Sequence, residues 1–156
     1  MKALDKFMTP RGEVQIYMAI SAQDGDEFWR LMGRWFASKE VAEALGESMF
    51  DHDAIIWVLA LVNDKVVGFS AIDLTNVATK GDALFNYAFV AEANRHTNIY
   101  SRLLKARIKL AKMDTPATRI VAICTSDSAP TLKKEGFTLT SKRGRYTRFV
   151  MEVKRS

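Results

Sequence analysis

The stretch Val90 to Leu104, VAEANRHTNIYSRLL, holds the residue types that seat a phosphate: an apolar run ends, a polar turn follows, and a helix begins near Arg95 and Arg102. The first turn of a helix carries amides with no intrahelical partner and a partial positive charge, so an anion can rest there and nearby guanidiniums add to the attraction. Many strand-to-helix turns share this pattern, so spacing alone leaves anion binding and an ordinary connection both open. Other chemistry is thinly supplied. Cys124 is the single cysteine and there are two histidines, which excludes an internal disulfide and is too few for a Cys/His zinc site, so no metal is expected.

The charge balance changes sign next to this stretch. Residues 1–94 carry 8 Lys+Arg against 14 Asp+Glu, net −6, whereas residues 95–156 carry 15 against 4, net +11, within an overall +5. The basic part suits a ligand with several phosphate charges, or surface solubility. Lys133, Lys134, Lys142, Arg143, Arg145 and Arg148, with Tyr146 among them, would also form a nucleic-acid patch, an alternative kept open but not favoured. In the acidic part, Asp24, Asp26, Glu27, Glu40, Glu43, Glu47, Asp51 and Asp53 would attract a cationic amine, or lie on a solvated helix face.

Several elements must position these groups. Val14, Ile16 and Met18 alternate in a strand over Glu13 to Ile20, and Phe28, Leu31, Met32, Trp35 and Phe36 follow at helical spacing. Ser38 caps a second helix that Gly46 ends. The apolar runs Ala54 to Val62 and Val66 to Leu74, joined through Asn63-Asp64-Lys65, read as a hairpin. A loop over 75–82 leads to an aromatic strand, Ala83 to Val90. The helix from Asn98 to Lys112 has Ile99, Leu103, Leu104, Ile108 and Ala111 on its apolar face, and Asp114-Thr115-Pro116 ends it. A strand Arg119 to Thr125, a short helix Pro130 to Glu135 stopped by Gly136, a brief strand Phe137 to Thr140, a turn Ser141 to Gly144 and a final alternating strand complete the chain. The order β-α-α-β-β-β-α-β-α-β-β predicts a single mixed α/β domain over 1–156, built round one mostly antiparallel sheet. Trp29, Trp35, Trp57 and Cys124 are read as core. The longest apolar runs fall short of the roughly 20 residues a membrane helix needs, and the start lacks a signal-peptide h-region, so a soluble cytoplasmic protein is expected.

The spacing Val90, Arg95, Ile99, Leu103, Leu104 resembles the acyl-CoA motif V-x-P-x-x-R-G-x-G-I-G-x-x-L-L of the GNAT acetyltransferase superfamily, and Ser128 to Phe137 (SAPTLKKEGF) resembles its later S-A-P-x-L-x-x-x-G-F segment. The element order also matches, from about Glu13 to Val153. The three motif glycines are replaced by His96, Asn98 and Tyr100; asparagine is the residue that best substitutes for glycine in a left-handed backbone, and Tyr100 followed by a leucine pair and Ala106-Arg107 is a subfamily pattern. His96 is read as an exposed loop residue.

The resemblance implies acetyl-CoA as cosubstrate, held in a splay between the Ala83–Val90 and Arg119–Thr125 strands. Its pantetheine would pair with backbone near Phe89 and Val90, and its pyrophosphate would sit on amides of Arg95, His96, Thr97, Asn98, Ile99, Tyr100 and Ser101. Acetyl would pass to a primary amine of a cationic small molecule or a protein lysine or N-terminus. The family's usual base position falls on Leu84 and its usual acid position on Leu132, so both groups are absent. Strand alternation then nominates Asp82 and Asn86 on the base side, with Tyr100, Tyr87, Ser126 or Ser128 as donors. A catalytically inactive GNAT-fold binding module remains a further alternative, and a homodimer is left open.

Overall fold

Along Ile55–Val62 (β3), Val58 and Ala60 face one apolar cluster while Ile55, Trp57, Leu59 and Leu61 face another, so the strand is buried on both sides. A central strand with both faces covered reads as the unbroken apolar run seen here. The structure is a computed structural model and describes residues 1–155. β3 pairs antiparallel with β4 (Lys65–Asp73). Asn63 and Asp64 between them have φ of 50° and 64°, the left-handed pair that a two-residue hairpin turn demands and that Asn and Asp tolerate. On the other side β3 pairs with β2 (Gly12–Ala19).

One strand was not foreseen. β1 (Lys2–Thr9) pairs antiparallel with β2 at the sheet edge, and none of its residues is fully buried. An edge strand needs only a weak apolar stripe, which is why KALDKFMT carries little periodic signal.

The sheet runs β1-β2-β3-β4-β5-β6-β8-β7, with β5 (Asp82–Val90), β6 (Arg119–Cys124), β7 (Thr138–Arg143) and β8 (Tyr146–Glu152). All neighbours are antiparallel except β5 and β6. β7 extends through Ser141 to Arg143, where a turn was expected. Every residue of it is exposed, so its polar S-K-R end gives no burial pattern.

Helices cover both faces. α1 (Ser21–Phe36) buries Phe28, Leu31, Met32 and Trp35 against the face carrying Trp57 and Phe69. Its backbone breaks at Gly25 (φ 52°, ψ −125°), so the regular helix starts at Asp26, while Asp24 accepts a hydrogen bond from the Ile20 amide at 2.7 Å. Trp35 and Trp57 are core as expected, but Trp29 is 45% exposed. It follows Phe28 by one residue, hence about 100° round the helix and off the buried stripe. α2 (Lys39–Leu45) begins with Ser38 Oγ accepting from the Val41 amide at 3.2 Å and stops at left-handed Gly46. A four-residue helix, α3 (Val77–Lys80), lies inside the loop before β5. On the opposite face, α4 (Ile99–Asp114) and α5 (Ala129–Lys134) pack on Val58, Ala60 and Phe85. No helix among the described residues is long and apolar enough to cross a membrane.

Candidate functional site

The site begins where β5 and β6 part. They pair in parallel from Asp82↔Arg119 to Phe85↔Ala122, and no pairing continues beyond. The cause lies in β5: Ala71 faces Asn86 and Phe69 faces Phe89, so Tyr87 and Ala88 together oppose the single residue Ser70. This bulge turns the strand away from β6. Tyr87 pays with a φ of 54°, unusual for a bulky side chain, and its ring lies stacked on Trp57 at 5.8 Å with an interplanar angle of 11°. Burial raises the Tyr87 phenol above its ordinary range, so it stays protonated.

The parted strands open a groove of about 1120 Å³. Phe89 and Val90 form its β5 wall, and Ser126 stands on the β6 side. Its end is the loop between β5 and α4. His96 and Asn98 both adopt left-handed φ, 63° and 68°, at two of the positions where the resembling motif has glycine. Thr97 between them is pinned by its hydroxyl, which donates to the Asn94 carbonyl at 2.5 Å. α4 starts with no side-chain cap; its first intrahelical bond runs from the Arg102 amide to the Asn98 carbonyl at 3.0 Å. The amides of Ile99, Tyr100 and Ser101 therefore have no intrahelical acceptor, and all three residues line the groove. Arg95, His96 and Asn98 line it too, and His96 is exposed. Arg95 Nε donates to the Val90 carbonyl at 3.0 Å, which ties the loop to the strand end.

Arg102 does not join this seat. Its guanidinium pairs with Asp5 of β1 at 3.0 Å and lies over the Phe7 ring at 4.6 Å, a partner supplied by the strand the sequence reading lacked.

At Ala88, Tyr100, Thr125 and Ser128 the groove meets a smaller chamber of about 170 Å³. Asn86, Tyr87, Cys124 and Arg107 contribute to its wall, and α2 with its flank adds Ala44, Leu45 and Glu47. The roof is held by the β7–β8 turn: Arg145 Nη2 donates to the Ala44 carbonyl at 3.0 Å, and the Tyr146 hydroxyl donates to the Leu45 carbonyl at 3.0 Å. These last-turn carbonyls have no intrahelical donor, so a cation there is favourable. Two members of the proposed nucleic-acid patch are thus occupied in closing the chamber.

The expected catalytic residues separate. Asn86, Tyr87, Tyr100 and Ser128 reach the chamber, and Ser126 only the groove. Asp82 is in neither: its carboxylate forms a fork with Arg119, Nε to Oδ1 at 2.7 Å and Nη2 to Oδ2 at 3.0 Å, at the far, paired end of β5. That hydrogen bonding holds the Asp82 carboxyl below the usual carboxylate range. A carboxylate whose native pKa lies below its unfolded value stabilises the fold above the unfolded pKa and loses that contribution as pH falls through the native one. Replacing Asp82 with Asn is therefore expected to lower Tm at neutral pH, to lose that difference from wild type in strong acid, and to leave turnover intact. Thermal melts across pH, with rates measured alongside, check this.

Cys124 was read as core and is half-buried in the chamber wall; burial pushes its thiol up to about 11, so it is not a thiolate at neutral pH. Two chamber residues were missed as site residues. Glu47 was read only as one of many acidic residues. Arg107 is 2% exposed, and its signal was in plain view: it falls eight residues after Ile99 and four after Leu103, inside the apolar stripe where a charge is out of place. Burial lowers its pKa to about 10. Among the described residues no cluster of three or more His, Cys, Asp or Glu side chains is arranged to hold a metal ion.

No sequence-family profile matches the chain, and no curated protein matches it either. Solved structures do. The GNAT domain of PAT from S. lividans superposes with a TM-score of 0.72 at 12% identity, over 96% of both chains. ElaA from Escherichia coli gives 0.70 at 12% identity, over 89% of this chain and 99% of that one. BjaI, a CoA-dependent acyl-homoserine lactone synthase solved with SAM and isopentyl-CoA, gives 0.63 at 15% identity, over 91% and 84%. The chain has the GNAT fold.

Proposed function

We propose that this chain is a CoA-dependent N-acyltransferase. One observation carries the reading: the strand splay ends on a loop with two left-handed residues and an uncapped helix start, and the groove it opens leads directly into a smaller chamber. A CoA thioester fits that order of parts. Its pyrophosphate would rest on the amides of His96 to Ser101, its pantetheine would pair with the free side of β5 at Ala88 to Val90, and its acyl group would meet the chamber near Tyr100. Acetyl-CoA is the simplest donor and the first probe.

The reaction needs a neutral amine whose nitrogen attacks the thioester carbonyl carbon. The C–N bond forms, the C–S bond breaks, the amine gives up a proton and the thiolate accepts one. Glu47 is the carboxylate that lines the chamber and takes the role of base in place of Asp82. Tyr100, at the junction of groove and chamber, is the proton donor to the thiolate. Alignment of the two reactants supplies much of the remaining acceleration. An acceptor entering past Glu47 and the acidic α2 flank is favoured when it is a cationic amine, whether small or a protein lysine.

Turnover of acetyl-CoA with a panel of primary amines tests the proposal, together with calorimetric titration of CoA. No heat with CoA at millimolar concentration would sink it. Glu47→Gln is expected to cut kcat/KM about a hundredfold near neutral pH. The deficit should shrink as pH approaches the amine's own pKa, because the substrate then loses its proton without help; a pH–rate comparison of the two proteins reads this.

A further inference from the structure

Arg107 is a buried cation with no anionic partner among the described residues. Its Nη1 donates to the Ala71 carbonyl at 3.3 Å, its guanidinium lies over the Phe85 ring at 4.6 Å, and its Nε has no hydrogen-bond partner among the described residues. Nearby, the buried Asn86 side-chain oxygen is also unpartnered. Both residues belong to the chamber wall. Burying an arginine without a carboxylate is costly, and an apolar side chain on the α4 stripe would pack Phe85 and Ala71 at no such cost. The fold therefore does not require this charge.

The chamber's volume of about 170 Å³ far exceeds the ~15 Å³ that one water needs. It is reached from the groove at Ala88, Tyr100, Thr125 and Ser128, so whatever hangs from the thioester sulfur is what enters it. Glu47, the other charged group on the chamber, sits exposed on the α2 side and repels an anionic acceptor approaching from there.

On the reading that the chain transfers acyl groups from CoA, we propose that the acyl chain itself ends in a carboxylate, which Arg107 and Asn86 bind in the chamber. The donor class is then the CoA monothioester of a short dicarboxylic acid. Arg107 is the specificity residue: its guanidinium donates two parallel hydrogen bonds to the carboxylate, and the Asn86 amide, turned about its axis, adds an N–H donor. In the transfer the carboxylate is a bystander. The amine nitrogen bonds the thioester carbon, the C–S bond breaks, the amine nitrogen gives up a proton to the base and the departing thiolate accepts one.

The test compares succinyl-CoA with its uncharged counterpart butyryl-CoA on wild type, Arg107→Met and Arg107→Lys, with one amine acceptor. Wild type should favour succinyl-CoA by at least about tenfold in kcat/KM, the worth of a charge-assisted pair in a buried site. Arg107→Met should lose that preference, its kcat/KM falling at least about tenfold more for succinyl-CoA than for butyryl-CoA, with a Tm at or above wild type, as expected when a buried charge gives way to an apolar side chain. Arg107→Lys keeps a charge without the fork and should retain part of the preference; it carries the test if the Met variant does not fold. Equal wild-type rates on the two donors, or equal losses on both in Arg107→Met, would overturn the assignment. So would a preference that follows the acceptor's carboxylate, measured with acetyl-CoA and an amino acid against its methyl ester. If CoA binds calorimetrically and neutral donors turn over without discrimination, only this inference fails. If CoA does not bind, the acyl-transfer reading fails first.

Discussion

Asn98→Val is expected to weaken CoA binding by about tenfold or more. Asn98 has φ 68° and is the residue from which the uncapped start of α4 departs. A left-handed backbone costs an ordinary side chain roughly 1–2 kcal/mol, and a β-branched one resists it further, so valine should relax the loop toward negative φ. That rotation re-aims the following peptide and takes the amides of Ile99 and Tyr100 off the shared focus on which a pyrophosphate would rest. A loss of 1.4 kcal/mol in binding is tenfold in Kd. Asn98→Gly is the control: glycine takes φ of 68° without strain, so its affinity should equal or exceed wild type. Calorimetric titration of CoA into the three proteins reads the result. Equal affinity for all three would mean that the loop does not hold the pyrophosphate.

Gly46→Ala is expected to cost about 2–3 kcal/mol of stability and to lower activity by an order of magnitude or more. Two effects add. Gly46 ends α2 with φ 75°, where alanine is strained by about 1 kcal/mol. A Cβ there would also overlap the Tyr146 hydroxyl, which donates to the Leu45 carbonyl. Displacing that hydroxyl loses a hydrogen bond of roughly 1 kcal/mol and lifts the β7–β8 turn from the helix end. For a chain of this size each kcal/mol corresponds to about 2–4 °C in Tm, so a fall of about 5–10 °C is the readout. Activity falls because Ala44, Leu45, Glu47 and Tyr146 all wall the chamber. Tyr146→Phe removes the overlapping oxygen. The double variant should therefore be less destabilised than the sum of the two single ones, a coupling that unrelated effects would not show. Strict additivity in melting experiments would reject the contact as the cause.

The charge division in the chain acquires a different meaning once partners are placed. Much of the basic part is spent inside the molecule. Arg102 holds Asp5, Arg119 holds Asp82, Arg145 meets the end of α2, and Arg155 donates to the carbonyls of Ala111 and Lys112 in the last turn of α4 and of Thr115 and Ala117 just beyond it. On the acidic side, Glu27 pairs with Arg30 and Asp51 accepts from Trp57 and Ser21. Glu47 is the acidic residue left on the chamber. Net charge pointed to two sides of a molecule but could not say which charges were free.

What the sequence determined by itself is the local backbone. Asn63-Asp64 specify a hairpin turn, Ser38 and Gly46 bound a helix, and the stretch from Val90 to Leu104 specifies a strand, a loop with a left-handed position at Asn98 and an amphipathic helix. These follow from φ/ψ preferences and from burial periods of two and 3.6, which act between near neighbours. Only the tertiary structure decided the partners of the long polar side chains. Arg102 meets Asp5 across 97 residues, Asp82 meets Arg119 across 37, Arg107 reaches Ala71 across 36, and Tyr146 closes on Leu45 across 101. A charged side chain has the same local preferences whether it is solvated, paired or buried. Its role is set by what the packed chain brings beside it, and so a base read from strand alternation became a structural ion pair, while an arginine hidden in an apolar stripe became the most distinctive group in the site.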